Sequence, residues 1–552
     1  KKMKNFFTSI FRPIIYIFLG LSLVFACQKI NPLDGVELTV NTDIYKSPVL
    51  IQFVDGSSTS TKIPEGLSVT ISGPGKDFVL DDFGGKDFTV AGNILTLVLN
   101  KTANPTETNP IVFTVAVSGA GYLSTSKTIT IVDGTTPQSH VVSLVGLSAP
   151  PLGVTAASQN ISLTGGTIQI PTGNGKNESA SLSIAPGTQV KDAAGNVINA
   201  TSVSTQVVHF GSAQMESLLS FPGGFTPQNV NRNGTITEGA FVTAGFVAID
   251  MQAGGKEVKS FSKPIEVKVG INDDFVDPNT NLKLKEGDVI PTWSYENTTG
   301  EWKEEGVATV SKDANGKLVA TFTASHLSYW NLDYFYQLGP KCNSYYTQIK
   351  VNSNVSTYMS GYYGYLYAGN QILNGYNFDV TNGAISYIIN PRRADMKVKV
   401  FDMTKAPAKV VGETALFNPC NVTTAVPINL TLPAPPPPIN VDIDFTAKCS
   451  NKDVNIKPST WLYLYDPTAS WYGRYIYSYM TSGKTSLTVK EGTEYFIYAY
   501  SAGKYYSGRA TFSKSSSNII TSGGTGLTGT TTYNASTGKV KLVATYTTND
   551  CK

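Results

Sequence analysis

Ile111-Val112-Phe113-Thr114-Val115-Ala116-Val117 is the stretch on which the fold turns. In a strand every second side chain shares a face, so Ile111, Phe113, Val115 and Val117 line one side while Thr114 and Ala116 fall on the other. Similar runs lie around it at Val49 to Val54, Leu67 to Ile71, Ile94 to Leu99 and Thr128 to Val132, with turns at Asp55-Gly56 and Gly84-Gly85. Short runs punctuated by Gly, Pro, Asn and Asp recur down the chain, and no long amphipathic helix interrupts them. The expectation is an all-β protein of tandem antiparallel β-sandwiches.

Composition narrows the class of function. The 552 residues carry 43 Lys plus Arg against 40 Asp plus Glu, a net charge of +3. Lys1, Lys2, Lys4 and Arg12 precede the apolar run that ends at Cys27, so the rest of the chain is nearly neutral. A nucleic-acid binder that neutralises phosphate is excluded on that balance. Charged residues make up 15% of the chain, against about 25% in ordinary soluble domains. Three histidines leave few general bases or metal ligands. The chain shows no Gly-x-Ser-x-Gly elbow, His-Glu-x-x-His helix, phosphate loop or dinucleotide fingerprint. No cofactor is expected.

Residues 1–26 read as a signal peptide, with a basic start and an apolar stretch from Ile14 to Phe25, too short for the roughly 20 residues of a spanning helix. Val24-Phe25-Ala26-Cys27 resembles the lipobox of bacterial lipoproteins, which implies lipidation of Cys27 and a tether over 27–35. Two or three acyl chains anchor a protein to a membrane without a transmembrane helix. Cys27-Gln28-Lys29 is similar to the start of the export signal of Bacteroidota surface lipoproteins, which implies an outer-membrane, surface location.

Residues 36–149 are expected to form a seven-strand immunoglobulin-like sandwich, without the Cys-Trp-Cys signature of antibody domains. A larger block, 150–336, contains Gly166 to Pro171 and Ser181 to Thr188, which resemble the sandwich of ankyrins and netrin receptors. Its Trp293-Ser294-Tyr295 and His326-Leu327-Ser328-Tyr329-Trp330-Asn331 resemble motifs of matrix-type sandwich proteins, and the resemblance implies a scaffold. Tyr-rich sandwiches follow at 337–432 and 439–552, joined by a polyproline spacer over 433–438. Ser486 to Val489 with Glu491 to Ala499 resembles the transthyretin-like regulatory domain of carboxypeptidases. Cys342, Cys420, Cys449 and Cys551 allow three pairings; the symmetrical one closes each Tyr-rich domain, and an alternative bridges Cys420 to Cys449 across the spacer.

Tyrosine spacing is the strongest functional signal. Tyr363, Tyr365 and Tyr367 alternate, as do Trp461, Tyr463 and Tyr465, and Tyr475, Tyr477 and Tyr479. Each row shares one sheet face, and exposed rings would stack on sugars or on a protein partner; the competing reading is that they fill cores. Leu462 and Leu464 supply an inner face of their own, which turns Trp461, Tyr463 and Tyr465 outward. The turn bearing Trp471, Tyr472 and Arg474 is the other candidate contact. Asp277, Asn279, Asn281 and Asp288 have a calcium-loop-like spacing, although Leu282 stands where the loop needs Gly, so an Asx turn is favoured. His326 is read as structural, and Glu301 with Glu304 as the carboxylates a hydrolase would need. The expected function is non-catalytic display of a glycan- or surface-ligand-binding surface, with the first two domains as membrane-proximal spacers. A structural accessory of an envelope or transporter complex is the alternative, and a carboxylate glycan hydrolase the third.

Overall fold

The computed structural model describes residues 38–41 and 46–548, interrupted by single residues and short stretches of which 470–474 and 522–526 are the longest. The signal segment, Cys27, the tether up to Val36 and Cys551 lie outside the described residues. The protein is all-β. Among the described residues the helical segments are single turns, Lys76–Phe78 and Met215–Leu219, and none is long and apolar enough to cross a membrane.

Residues 46–144 form two facing sheets. One has the strands Val79–Leu80, Ile94–Leu99, Lys46–Asp55 and Gln138–Leu144; the other has Ser68–Ser72, Ile111–Gly119 and Tyr122–Ile131. Ile111, Phe113, Val115 and Val117 point into the core between them with Ile51, Phe53, Leu95 and Leu97, as the alternation requires. Burying one such side chain contributes about 2 kcal/mol. Not every pairing is antiparallel: Lys46–Asp55 runs parallel to Gln138–Leu144.

Both Tyr-rich bodies repeat that device. Tyr346–Ser353 lies parallel to Val426–Leu430, and Pro438–Cys449 lies parallel to Lys539–Thr548. In each body the long first strand also pairs with an antiparallel strand, Ile385–Ile389 or Lys484–Lys490. A following strand, Tyr362–Ala368 or, after the short Val454–Lys457, Thr460–Tyr465, starts a hairpin in the opposite sheet. The two bodies therefore share these pairings, to which the last body adds Val454–Lys457 and Leu527–Asn534 at the flanks. A first and a last strand that run parallel send the chain in at one end of a sandwich and out at the other.

Between the first body and the Tyr-rich pair, residues 154–337 build one continuous sheet that bends around Ile168, Leu182, Val207, Met251, Val267 and Trp330. A bulge between Thr243 and Gly245 helps it turn, and Gly245 takes φ +141°, a conformation open mainly to glycine. The outer face carries a second, aromatic core of Phe221, Phe241, Phe246, Trp293, Tyr295 and Trp302. The Trp-Ser-Tyr and His-Leu-Ser-Tyr-Trp-Asn motifs interlock there. Tyr295 pairs with Tyr329, and the Ser328 hydroxyl donates to the Tyr295 carbonyl at 2.6 Å while accepting from the Tyr295 N–H at 3.1 Å.

Cys342 is bonded to Cys420, which excludes a bridge between Cys420 and Cys449. Cys449 is also disulfide-bonded. The first bridge spans 78 residues, so chain entropy predicts a loss of about 4 kcal/mol in Cys342→Ser plus Cys420→Ser. Denaturant melts of oxidised wild type against the double variant check this; equal midpoints would contradict it.

Candidate functional site

Alternation in Thr460–Tyr465 sends Leu462 and Leu464 into the core of the last body and puts Trp461, Tyr463 and Tyr465 on the opposite face. Register then assembles a platform. Tyr465 lies between Tyr475 and Phe496, Tyr463 between Tyr477 and Tyr498, and Trp461 beside Tyr479. Ring centroids are 5.2 Å apart for Tyr465 and Tyr475, 5.9 Å for Tyr465 and Phe496, and 5.1 Å for Tyr463 and Tyr498. Arg509 caps the first row, 5.7 Å over the Phe496 ring, and pairs with Glu494 at 3.6 Å. Such a surface combines flat apolar faces with hydroxyl tips and one guanidinium.

Most of the platform does not face water. Trp461 and Tyr463 are 7% and 1% exposed and pack against Leu50 and Ile94 of the first body. The outward reading of these two residues is corrected accordingly: they leave the core of their own sandwich but are covered by another sheet. Tyr465, Tyr475 and Phe496 stay half-buried at the edge. Trp471, Tyr472 and Arg474 lie outside the described residues.

The signal missed in the sequence is the run Val49 to Val54. It does not alternate cleanly, because Lys46–Asp55 is buried on both faces: Val49, Ile51 and Phe53 meet their own core, while Leu50 meets the platform. A near-continuous apolar run marks a strand covered on both sides. The expectation that the first body stands apart from the last as a spacer also fails. Besides the Leu50 contact, Leu38–Asn41 adds a parallel strand to Val454–Lys457 of the last body.

The equivalent row in 337–432 behaves alike. Tyr365 and Tyr367, 4% and 8% exposed, pack with Phe401 and Met403 against Met215, Leu218 and Leu219 of the preceding body. Lys399 Nζ lies 4.8 Å from the Tyr367 ring.

Residues 180–333 match the family described as FAM171A1/A2/B, N-terminal. Those residues hold the bent sheet and its aromatic outer core. No curated protein matches the chain. Among solved structures, the C-terminal fragment of the pilus adhesin SpaC from Lactobacillus rhamnosus GG aligns at 9% identity, over 36% of this chain and 97% of that one, with a TM-score of 0.15. BcpA, the major pilin subunit of Bacillus cereus, aligns at 10% identity over 91% and 99%, with a TM-score of 0.13. A SusE-like surface-located polysaccharide-binding protein of Bacteroides thetaiotaomicron aligns at 8% identity over 91% and 72%, with a TM-score of 0.08.

Asp277, Asn279 and Asn281 lie on the small hairpin of Val276–Asp277 and Leu282–Lys283. Asp277 Oδ1 accepts from the Asn279 N–H at 2.7 Å, Asn279 Oδ1 from the Tyr336 hydroxyl at 3.0 Å, and Asp288 Oδ2 from the Lys285 N–H at 2.9 Å. The Asp277 Oδ1 bond to the Asn279 N–H is that of an Asx turn, and the Asn281 N–H closes the loop on the Asp277 backbone carbonyl at 2.8 Å with Asn281 at φ +57°. Among the described residues no group of three His, Cys, Asp or Glu is placed to hold a metal. Glu301 accepts from Asn231 at 2.9 Å and Glu304 from Arg232 at 2.9 Å.

His326 Nε2 is 3.1 Å from Glu305, and its ring packs on Trp330 at 4.9 Å. Burial pushes the Glu305 carboxyl up, but His326, Lys303 and Ser294 outweigh it and carry the group down to about 2. One buried pair gave no sequence signal at all. Lys176 donates to His209 Nδ1 at 2.9 Å and to the Glu178 carbonyl at 2.6 Å. Burial draws the Lys176 ammonium down to about 8, and burial together with Lys176 keeps His209 neutral.

Proposed function

We propose that this chain is a non-catalytic outer-membrane lipoprotein, anchored through Cys27, that displays its sandwiches at the cell surface and binds a glycan or another surface component. The observation that carries the reading is the open row of the platform. Tyr465, Tyr475 and Phe496 lie side by side, with Arg509 at the end of the row. Half-exposed aromatic rings bordered by one guanidinium suit stacking on a sugar ring better than acid–base chemistry.

The test is a glycan array probed with residues 28–552 at two salt concentrations. Binding that survives high salt is expected, because stacking is screened less than charge pairing. Tyr465→Ala and Tyr475→Ala should each weaken it about tenfold, the size of one aromatic hot spot. Trp471→Ala and Tyr472→Ala should weaken it with folding intact. Unchanged affinity in all four would remove this site.

A structural accessory of an envelope complex is the second reading, and one observation favours it: both aromatic rows pack on a neighbouring body. A blank array together with a stoichiometric membrane partner on purification would establish that alternative.

A further inference from the structure

The seam between the first and last bodies is apolar at its centre and poorly satisfied around it. Leu50 and Ile94 cover Trp461 and Tyr463. Gln52 shares a strand face with Leu50, and Thr96 shares one with Ile94. Register sets Leu50 beside Thr96 and Gln52 beside Ile94. Gln52 and Thr96 are 2% and 5% exposed. Among the described residues, Gln52 Nε2, Thr96 Oγ1 and Trp461 Nε1 are buried without a hydrogen-bond partner. Buried polar atoms in a permanent interior are nearly always paired, and leaving one unpaired costs about 1–3 kcal/mol. The seam therefore holds less tightly than its apolar area implies, whereas the core on either side of it is a continuous apolar cluster.

We infer that this seam is a releasable clasp: the first body masks the inner rows of the platform, and a glycan chain competes with it for Trp461 and Tyr463. The inference rests on the glycan-binding reading for its ligand and on the seam alone for its opening. A sugar supplies what the first sheet lacks. Its apolar face stacks on the rings and its hydroxyls pair with the indole N–H and with polar tips, so the exchange removes the unpaired groups. Closure lowers apparent affinity by the fraction of open molecules, so a clasp closed about 99% of the time would weaken binding about a hundredfold.

Hydroxyl-radical footprinting of the full chain tests the opening. Leu50→Glu with Ile94→Glu puts two charges into the seam and should raise labelling of Trp461 and Tyr463 about tenfold or more, while Trp293 and Trp302 stay protected. Wild type in rising urea is the independent measurement, since it needs no variant to fold. Trp461 should become reactive at concentrations where Trp293 is still protected, as a sub-global opening requires. Trp461 and Trp293 becoming reactive in one transition, or Trp461 labelling unmoved by the two charges, would overturn the clasp. Glycan affinity separates the two ideas. Tighter binding by the charged variant supports competition. Increased Trp461 labelling with no glycan bound by either protein leaves the clasp standing and ends the glycan reading of the platform.

Discussion

Asp333→Asn should melt higher than wild type at pH 7.5 and lose the part of the wild-type pH dependence between pH 4 and 8 that this carboxyl contributes. Asp333 lies on Tyr329–Gln337, a strand paired on both sides within the bent sheet, and it is fully buried. It shares the aromatic face with Asn331, and among the described residues neither side chain makes a hydrogen bond of good geometry. Burial pushes the Asp333 carboxyl up to about 8, with Thr243 and Asn331 beside it opposing only in part. The folded protein thus holds this proton up to about pH 8, whereas the unfolded chain releases it near its ordinary value of about 4. Between those values the folded state binds more protons, so the contribution of Asp333 is fully present below about pH 4 and is lost as pH rises towards 8. The slope approaches about 1.4 kcal/mol per pH unit. Asparagine keeps the shape and has no proton to lose, so the difference between the two proteins should reach on the order of 5 kcal/mol at pH 7.5. Melting midpoints of both proteins at half-unit steps from pH 4.5 to 8 check it. Parallel curves would mean that Asp333 ionises freely in the fold.

Trp302→Ala is the other large effect. Trp302 is 0% exposed, and its ring lies 4.7 Å from Phe241, 4.9 Å from Tyr295 and 5.2 Å from Phe221. Removing it leaves a cavity that neighbours fixed on paired strands cannot fill, for a loss of about 3–5 kcal/mol. Leu123, Val145 and Leu147 of the first body pack on the same cluster, and the Tyr295 hydroxyl is 2.7 Å from Ser126 Oγ. The variant should therefore also loosen the first body from the bent sheet, read as faster proteolysis near Pro150 and Pro151. The indole N–H of Trp302 has no partner among the described residues. Trp302→Phe should consequently cost less than the change in size implies. A loss below about 1 kcal/mol in Trp302→Ala would show that the cluster closes over the gap.

The alternation of Ile111 to Val117, with its β-branched residues and flanking turns, was enough to specify strands, because the side-chain period of a strand is local. The same locality made the inner and outer faces of Thr460–Tyr465 legible: Leu462 and Leu464 went inward and the aromatic row went outward. Sequence also brought Cys342 and Cys420 forward as a possible pair, but it could not choose among three connectivities, since that choice depends on which strands come together. What covers a sheet face is likewise not local. Whether Trp461 and Tyr463 meet water or Leu50 and Ile94 depends on how bodies separated by hundreds of residues come together, and alternation is the same in both cases. The parallel pairing of first and last strands, the docking of Leu38–Asn41 onto the last body and the burial of Asp333 were decided by tertiary structure for the same reason. Period two says which side chains share a face, and only the packed chain says what lies opposite it.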